Sequence, residues 1–155
     1  MIRDGGPFAC ALRALERGEF SSAETQLTSL LAARPWAPNE RAFLLNKRGV
    51  ARIGLQRREL ARADFEAALE VNPSFAPAIA NIGNLLLEAG DLDGAIAAYE
   101  RAIACDADYA VAYLNLGVAY KRRGRVADGV RALRQAQRLE GRAIAASWRR
   151  RARWR

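Results

Sequence analysis

The stretch that decides the fold is Ala78–Asp106, AIANIGNLLLEAGDLDGAIAAYERAIACD. Its first half sets Ile79, Ile82, Gly83 and Leu86 on one stripe at spacings of three and four, the period of an amphipathic helix. Gly90–Asp91 ends that helix, because glycine takes the left-handed conformation that closes a helix without steric cost. Ala95, Ile96, Tyr99, Ala102 and Ile103 then form a second stripe, with Asp93 as its N-cap or first-turn acid. The unit is a pair of short helices joined by a tight turn.

That unit recurs. Gly49, Gly83 and Gly117 are spaced by 34 residues, as are Ala68, Ala102 and Ala136. Phe65, Tyr99 and Leu133 keep the same step, and so do Ala61, Ala95 and Gly129. A degenerate unit precedes these: Ala23, Leu27, Leu30 and Pro35 align with Ala61, Phe65, Ala68 and Pro73 at a step of 38. The extra residues fall in WAPNER, Trp36–Arg41, a loop able to absorb them. The small columns mark helices in close approach, with the aromatic or leucine column filling the space beyond that contact. One such pair cannot bury its apolar faces alone, so neighbouring units must stack.

These columns resemble the tetratricopeptide repeat, a 34-residue helix–turn–helix unit. The match is best in AYLNLGVAYKRRGRVADGVRALRQAQRLE, Ala112–Glu140, and nearly as good in Ala78–Asp106. Phe43–Pro73 departs by placing Gln56 where the turn glycine is expected. The first unit keeps GEFSSAE but has Cys10–Ala11 in place of a Leu–Gly pair. The resemblance implies an all-α, right-handed superhelical solenoid spanning residues 4–141, with repeats at about 4–37, 42–75, 76–109 and 110–141. Residues 142–155 are expected to form a basic C-terminal capping helix or tail.

In this family the first helix of each pair lines a concave groove that holds peptides or protein segments. The groove positions carried over here are Asn46, Lys47, Asn81, Asn84, Asn115, Val118, Lys121 and Arg122. Asparagine amides both donate and accept, so such a ladder can grip a peptide backbone without reading its side chains. Lys47, Lys121 and Arg122 favour acidic character in the ligand. Asn84 and Asn115 also match two positions of the family's carboxylate clamp, but Ala80 and Ala145 stand where its lysines belong. The implied function is a protein-interaction scaffold.

Composition narrows the chemistry. The chain has no histidine, which removes histidine-dependent nucleophile activation, acid–base work and metal ligation together. No glycine loop of the phosphate-cradling kind is present. The expectation is therefore a protein that is not an enzyme, with no cofactor and no metal. A repeat fragment of a larger multidomain enzyme is the alternative on that axis. Cys10 and Cys105 lie among apolar residues and read as two small buried side chains. No run approaches the roughly 20 apolar residues of a membrane span, and charges break the N-terminal segment too often for a signal peptide. Both point to a cytoplasmic protein.

Net charge is +8, but it is polarised. Ala76–Tyr109 carries six acids and one arginine, whereas Ala110–Gly141 carries seven basic residues and two acids. These opposite ends could meet between copies of the chain. The terminal SWRRRARWR adds Arg149, Arg150, Arg151, Arg153 and Arg155. Ile144, Trp148 and Ala152 recur at i, i+4 and i+8, a stripe suited to covering the last repeat, with Trp154 off it. The competing reading makes this tail a nucleic-acid or anionic-surface binder, its arginines on phosphates and its tryptophans stacking on bases or sitting at an interface.

Overall fold

The computed structural model describes residues 8–152, with side chains through residue 146. Among the described residues there are eight helices and no strand: α1 (Ala9–Glu16), α2 (Phe20–Ala33), α3 (Pro38–Gly54), α4 (Arg58–Val71), α5 (Ala76–Glu88), α6 (Leu92–Cys105), α7 (Ala110–Arg122) and α8 (Val126–Ala152). None of them is long and apolar enough to cross a membrane. The chain divides into two compact units, Met1–Ala78 and Ile79–Arg155. Within each unit, helices pack on their neighbours in chain order.

The turn inside each pair is built the same way four times. Gly18, Gly90 and Gly124 have φ between 74° and 86°, and Gln56 takes their place with φ 61°. At each position the residue's N–H donates three residues back, and the following N–H closes the last turn. The second set of bonds runs from Glu19 to Ala14, Arg57 to Arg52, Asp91 to Leu86, and Arg125 to Tyr120. This is the glycine-closed helix end, and Gln56 adopts it at the cost of a left-handed backbone that a Cβ disfavours. Gln56 is exposed, so its side chain has little packing to lose. Gln56→Gly is expected to stabilise the protein by about 1 kcal/mol, the left-handed penalty less glycine's greater freedom in the unfolded chain. An unchanged or lower urea midpoint would refute this.

The repeat columns have a sharper packing reason than the spacing alone suggests. The aromatic column does not fill space beyond the glycines; it lies directly on them. A Cβ on Gly49 would strike the Phe65 ring, one on Gly83 would lie 2.7 Å from the Tyr99 ring, and one on Gly117 would lie 2.7 Å from Leu133 Cγ. Phe65 and Tyr99 are essentially fully buried, as are Ala61, Ala68, Ala95 and Ala102. The first unit gains a further anchor from the inserted loop. Trp36 joins Ala11, Leu27 and Leu44 in the core, and its indole N–H donates to the Leu30 carbonyl at 2.7 Å.

One expectation needs correcting. Cys10 and Cys105 are both exposed free thiols, because each sits on the outward side of its helix despite apolar neighbours in sequence. Of the two roles open to Asp93, it takes that of first-turn acid; Asp91 is the cap of α6, its carboxylate accepting from the Gly94 N–H at 2.9 Å. Asp93 in the first turn instead pairs with Arg123 at 2.8 Å. Helix α8 continues through Gly141 to Ala152, so the described part of the expected closing segment is a prolongation of the last repeat's second helix. The side chains of Trp148, Arg149, Arg150 and Arg151, and all of Arg153, Trp154 and Arg155, lie outside the described residues.

Unit one also contains a charged network that the spacing does not announce. Buried Asp64 on α4 accepts from Arg48 at 2.6 Å and pairs with Arg52 at 2.9 Å, both on α3. Arg52 also donates to Glu24 on α2 at 2.9 Å, and Glu24 is bridged in turn by Arg57 at 2.6 Å. Three helices are tied by one alternating chain of charges.

Candidate functional site

The second unit brings three of the candidate asparagines together. Asn81 and Asn84 are one turn apart on α5, and Asn115 occupies the repeat-equivalent position of Asn81 on α7. Asn84 is the junction. Its carbonyl oxygen accepts from the Tyr99 hydroxyl at 2.7 Å and from the Asn115 amide at 2.9 Å. Its own amide reaches the Asn81 oxygen at 3.4 Å. All three amides are half-buried.

The junction is stiff because Tyr99 is. Its ring is wholly enclosed and packs directly against Gly83. Burial pushes the phenol up to about 12, with the Arg122 charge drawing it down and Glu88 adding to the rise. The hydroxyl therefore stays a proton donor to Asn84 across the physiological range. Asn84 has both sites of its carbonyl occupied, so it positions Asn115 and has little capacity left for a ligand. Among the described residues no group donates to the Asn115 side-chain carbonyl oxygen, which leaves that acceptor available.

Around Asn115, α7 presents an exposed face of mixed character. Val111 is 46% exposed and Leu114 44% exposed. Val118 is half-buried and Arg122 exposed on the same side, at i+3 and i+7 from Asn115. An apolar patch beside a half-satisfied amide, with a cation at one end, offers apolar, hydrogen-bonding and charged contact together.

The remaining candidates separate from this cluster. Lys121 turns the other way: its stem lies along Gly129 of α8, where a Cβ would meet Lys121 Cγ at 2.6 Å. Lys121 is thus packed on the α7–α8 seam, not beside Asn115. Asn46 is only 4% exposed and lies inside unit one, so it offers no surface to a partner. Asn46 stands one place before the column of Asn81 and Asn115, which passes through Lys47; its own counterpart on α5 is Ala80, also buried at 1% exposed. Lys47 is half-buried, its ammonium 5.4 Å from the centre of the Phe43 ring. The tail arginines fall outside the described side chains.

Comparisons with known proteins agree with this architecture. A family model described as "TPR repeat" matches residues 83–124. Two described as "Tetratricopeptide repeat" match residues 44–75 and 111–139. Among solved structures, a crystal structure of MamA superposes with a TM-score of 0.68 at 20% identity, covering 93% of this chain and 82% of that one. A double mutant of MamA RS-1 gives 0.64 at 24% identity, covering 87% and 74%. YrrB, described as a TPR protein with an unusual peptide-binding site, gives 0.63 at 19% identity, covering 94% and 73%. At these identities the likeness is one of fold.

Proposed function

The chain belongs to the tetratricopeptide-repeat family, and on that premise we propose that it is a protein-interaction scaffold whose second unit grips an extended partner segment along α7. The observation that carries this reading is the double acceptance by Asn84. A buried tyrosine and Asn84 together hold Asn115 in one orientation at a half-open surface. An amide fixed before binding loses little entropy on engaging a peptide backbone. Val111 and Leu114 supply apolar contact on one side of it, and Arg122 selects for an acid on the partner. YrrB's described peptide-binding site supports the same class of ligand for this fold. The mechanism is binding without chemistry.

A peptide array probed with the intact chain tests this. Asn115→Ala is expected to weaken the selected peptides about tenfold, equivalent to roughly 1.4 kcal/mol, while the thermal midpoint changes little. Arg122→Glu is expected to shift selection away from acidic peptides. Selected peptides whose affinity is indifferent to both changes would remove the site from α7.

A further inference from the structure

Helix α8 presents a flank that α6 uses to receive another helix, and the charge on that flank is reversed. On α6 the flank is Ile96, Glu100 and Asp93. Ile96 is 8% exposed there. Glu100 accepts from the Tyr120 hydroxyl of α7 at 2.5 Å, and Asp93 pairs with Arg123 at the end of α7. The helix that covers α6 thus brings donors and a cation to meet acids. One repeat later, Val130 stands in the place of Ile96 and is 36% exposed, and Val126 beside it is 55% exposed. Arg134 replaces Glu100, Arg131 replaces Ala97 and Arg138 replaces Ala104.

Two of these three arginines are not spent internally. Arg131 pairs with Asp128, which also holds Arg125. Among the described residues Arg134 and Arg138 make no ion pair, and both are exposed. A cavity of about 600 Å³ opens here, lined among the described residues by Arg131, Arg134, Gln137 and Arg138.

From this repeat-to-repeat inversion we infer that the open flank of α8 docks an acidic amphipathic helix from a partner protein. Its apolar stripe covers Val126 and Val130, and a row of carboxylates one turn apart meets Arg131, Arg134 and Arg138. The occupant is a helix because the equivalent flank of α6 is occupied by one. It is acidic because the complementary groups must be the opposite of those α7 offers to α6. A nucleic-acid backbone would satisfy the arginines but leave the valines wet. The inference is independent of the peptide site on α7.

Two synthetic amphipathic peptides with one leucine stripe test it: one carries glutamates at i, i+3 and i+7, the other lysines at the same places. Fluorescence anisotropy with the full chain is expected to show the glutamate peptide binding at least tenfold tighter than the lysine peptide. Arg134→Glu with Arg138→Glu is expected to reverse that order, Val130→Asp to abolish glutamate-peptide binding, and Asn115→Ala to leave it unchanged. All these positions are on the surface, and circular dichroism checks that each variant is folded. Three results would overturn the inference: glutamate-peptide affinity unmoved by the arginine reversal; a single-stranded oligonucleotide bound with equal affinity by wild type and Val130→Asp; or a dimer of the chain alone that the arginine reversal dissociates. The second assigns the flank to nucleic acid and the third to a second copy.

Discussion

Asp64→Ala is expected to lower the unfolding free energy by about 3–5 kcal/mol, the range for removing one partner of a buried ion pair. The carboxylate is 4% exposed and pairs with two guanidinium groups, Arg48 and Arg52, which are themselves only 17% and 15% exposed. Its loss strands Arg48 and leaves Arg52 with Glu24 as its one carboxylate among the described residues, and neither side chain can reach bulk water without leaving the α3 surface. The penalty lies in the abandoned charges, not in the worth of the pair. Replacing Arg48, Arg52 and Asp64 together by Met, Met and Leu should accordingly recover most of the loss. By contrast Arg57→Ala, at a 52% exposed side chain on the rim of the same network, is expected to cost less than about 1 kcal/mol. Urea midpoints of the three variants check the ordering. Equal effects of Asp64→Ala and Arg57→Ala would mean that the network is solvated.

The same network sets an acid limit. Burial tends to raise the Glu24 carboxyl, but the hydrogen bond from Arg52 and the charges of Arg57 and Arg52 outweigh it and hold it below its ordinary 4.5. A depressed carboxylate contributes its full stability above that ordinary value. The contribution fades as the pH falls through the lowered one. Glu24→Gln is expected to flatten the acid limb of the stability curve below about pH 4.5, where the wild type declines.

What the sequence made legible follows from what a repeat exposes. Gly49, Gly83 and Gly117 recur because each meets a large side chain of its own pair, and a local constraint repeated three times leaves a period. Asn81 and Asn115 share one register position, with Lys47 in the unit before, whereas Asn84 does not recur, Val50 and Val118 holding its places. The Asp64 network was not legible, since its members lie 16 and 28 residues apart and occur in one pair only, where arginines and acids read as a solvated face. Trp36 was hidden by a Pro-rich loop, which normally signals exposure. Lys121 and Arg122 are adjacent in sequence and sit on different sides of α7, a distinction of 100° that charge counting does not make. The reversal from Glu100 to Arg134 was visible as letters. Its meaning required knowing that Tyr120 and Arg123 serve the acidic version of that flank.

Gly83→Ala is expected to cost about 3 kcal/mol, the upper part of the usual range for overpacking, although alanine is the better helix former. The added methyl would lie 2.7 Å from Tyr99 Cε1 and about as close to the neighbouring ring carbons. An exposed ring would swing aside. This one is 0% exposed and anchored through its hydroxyl to Asn84, so the helices must separate instead. The separation draws Tyr99 away from Asn84 and frees the amide that orients Asn115. The substitution therefore tests packing and site together. In Tyr99→Ala, with the ring gone, adding Gly83→Ala should cost far less than it does in the wild type, giving a coupling of about 2 kcal/mol in a double-mutant cycle. Gly90→Ala is a control of a different kind. Nothing lies within 4 Å of a Cβ there, so its cost comes from the φ of 85° alone and is insensitive to Tyr99. Additive behaviour of Gly83→Ala and Tyr99→Ala would show that the glycine column is kept for some reason other than the ring that lies on it.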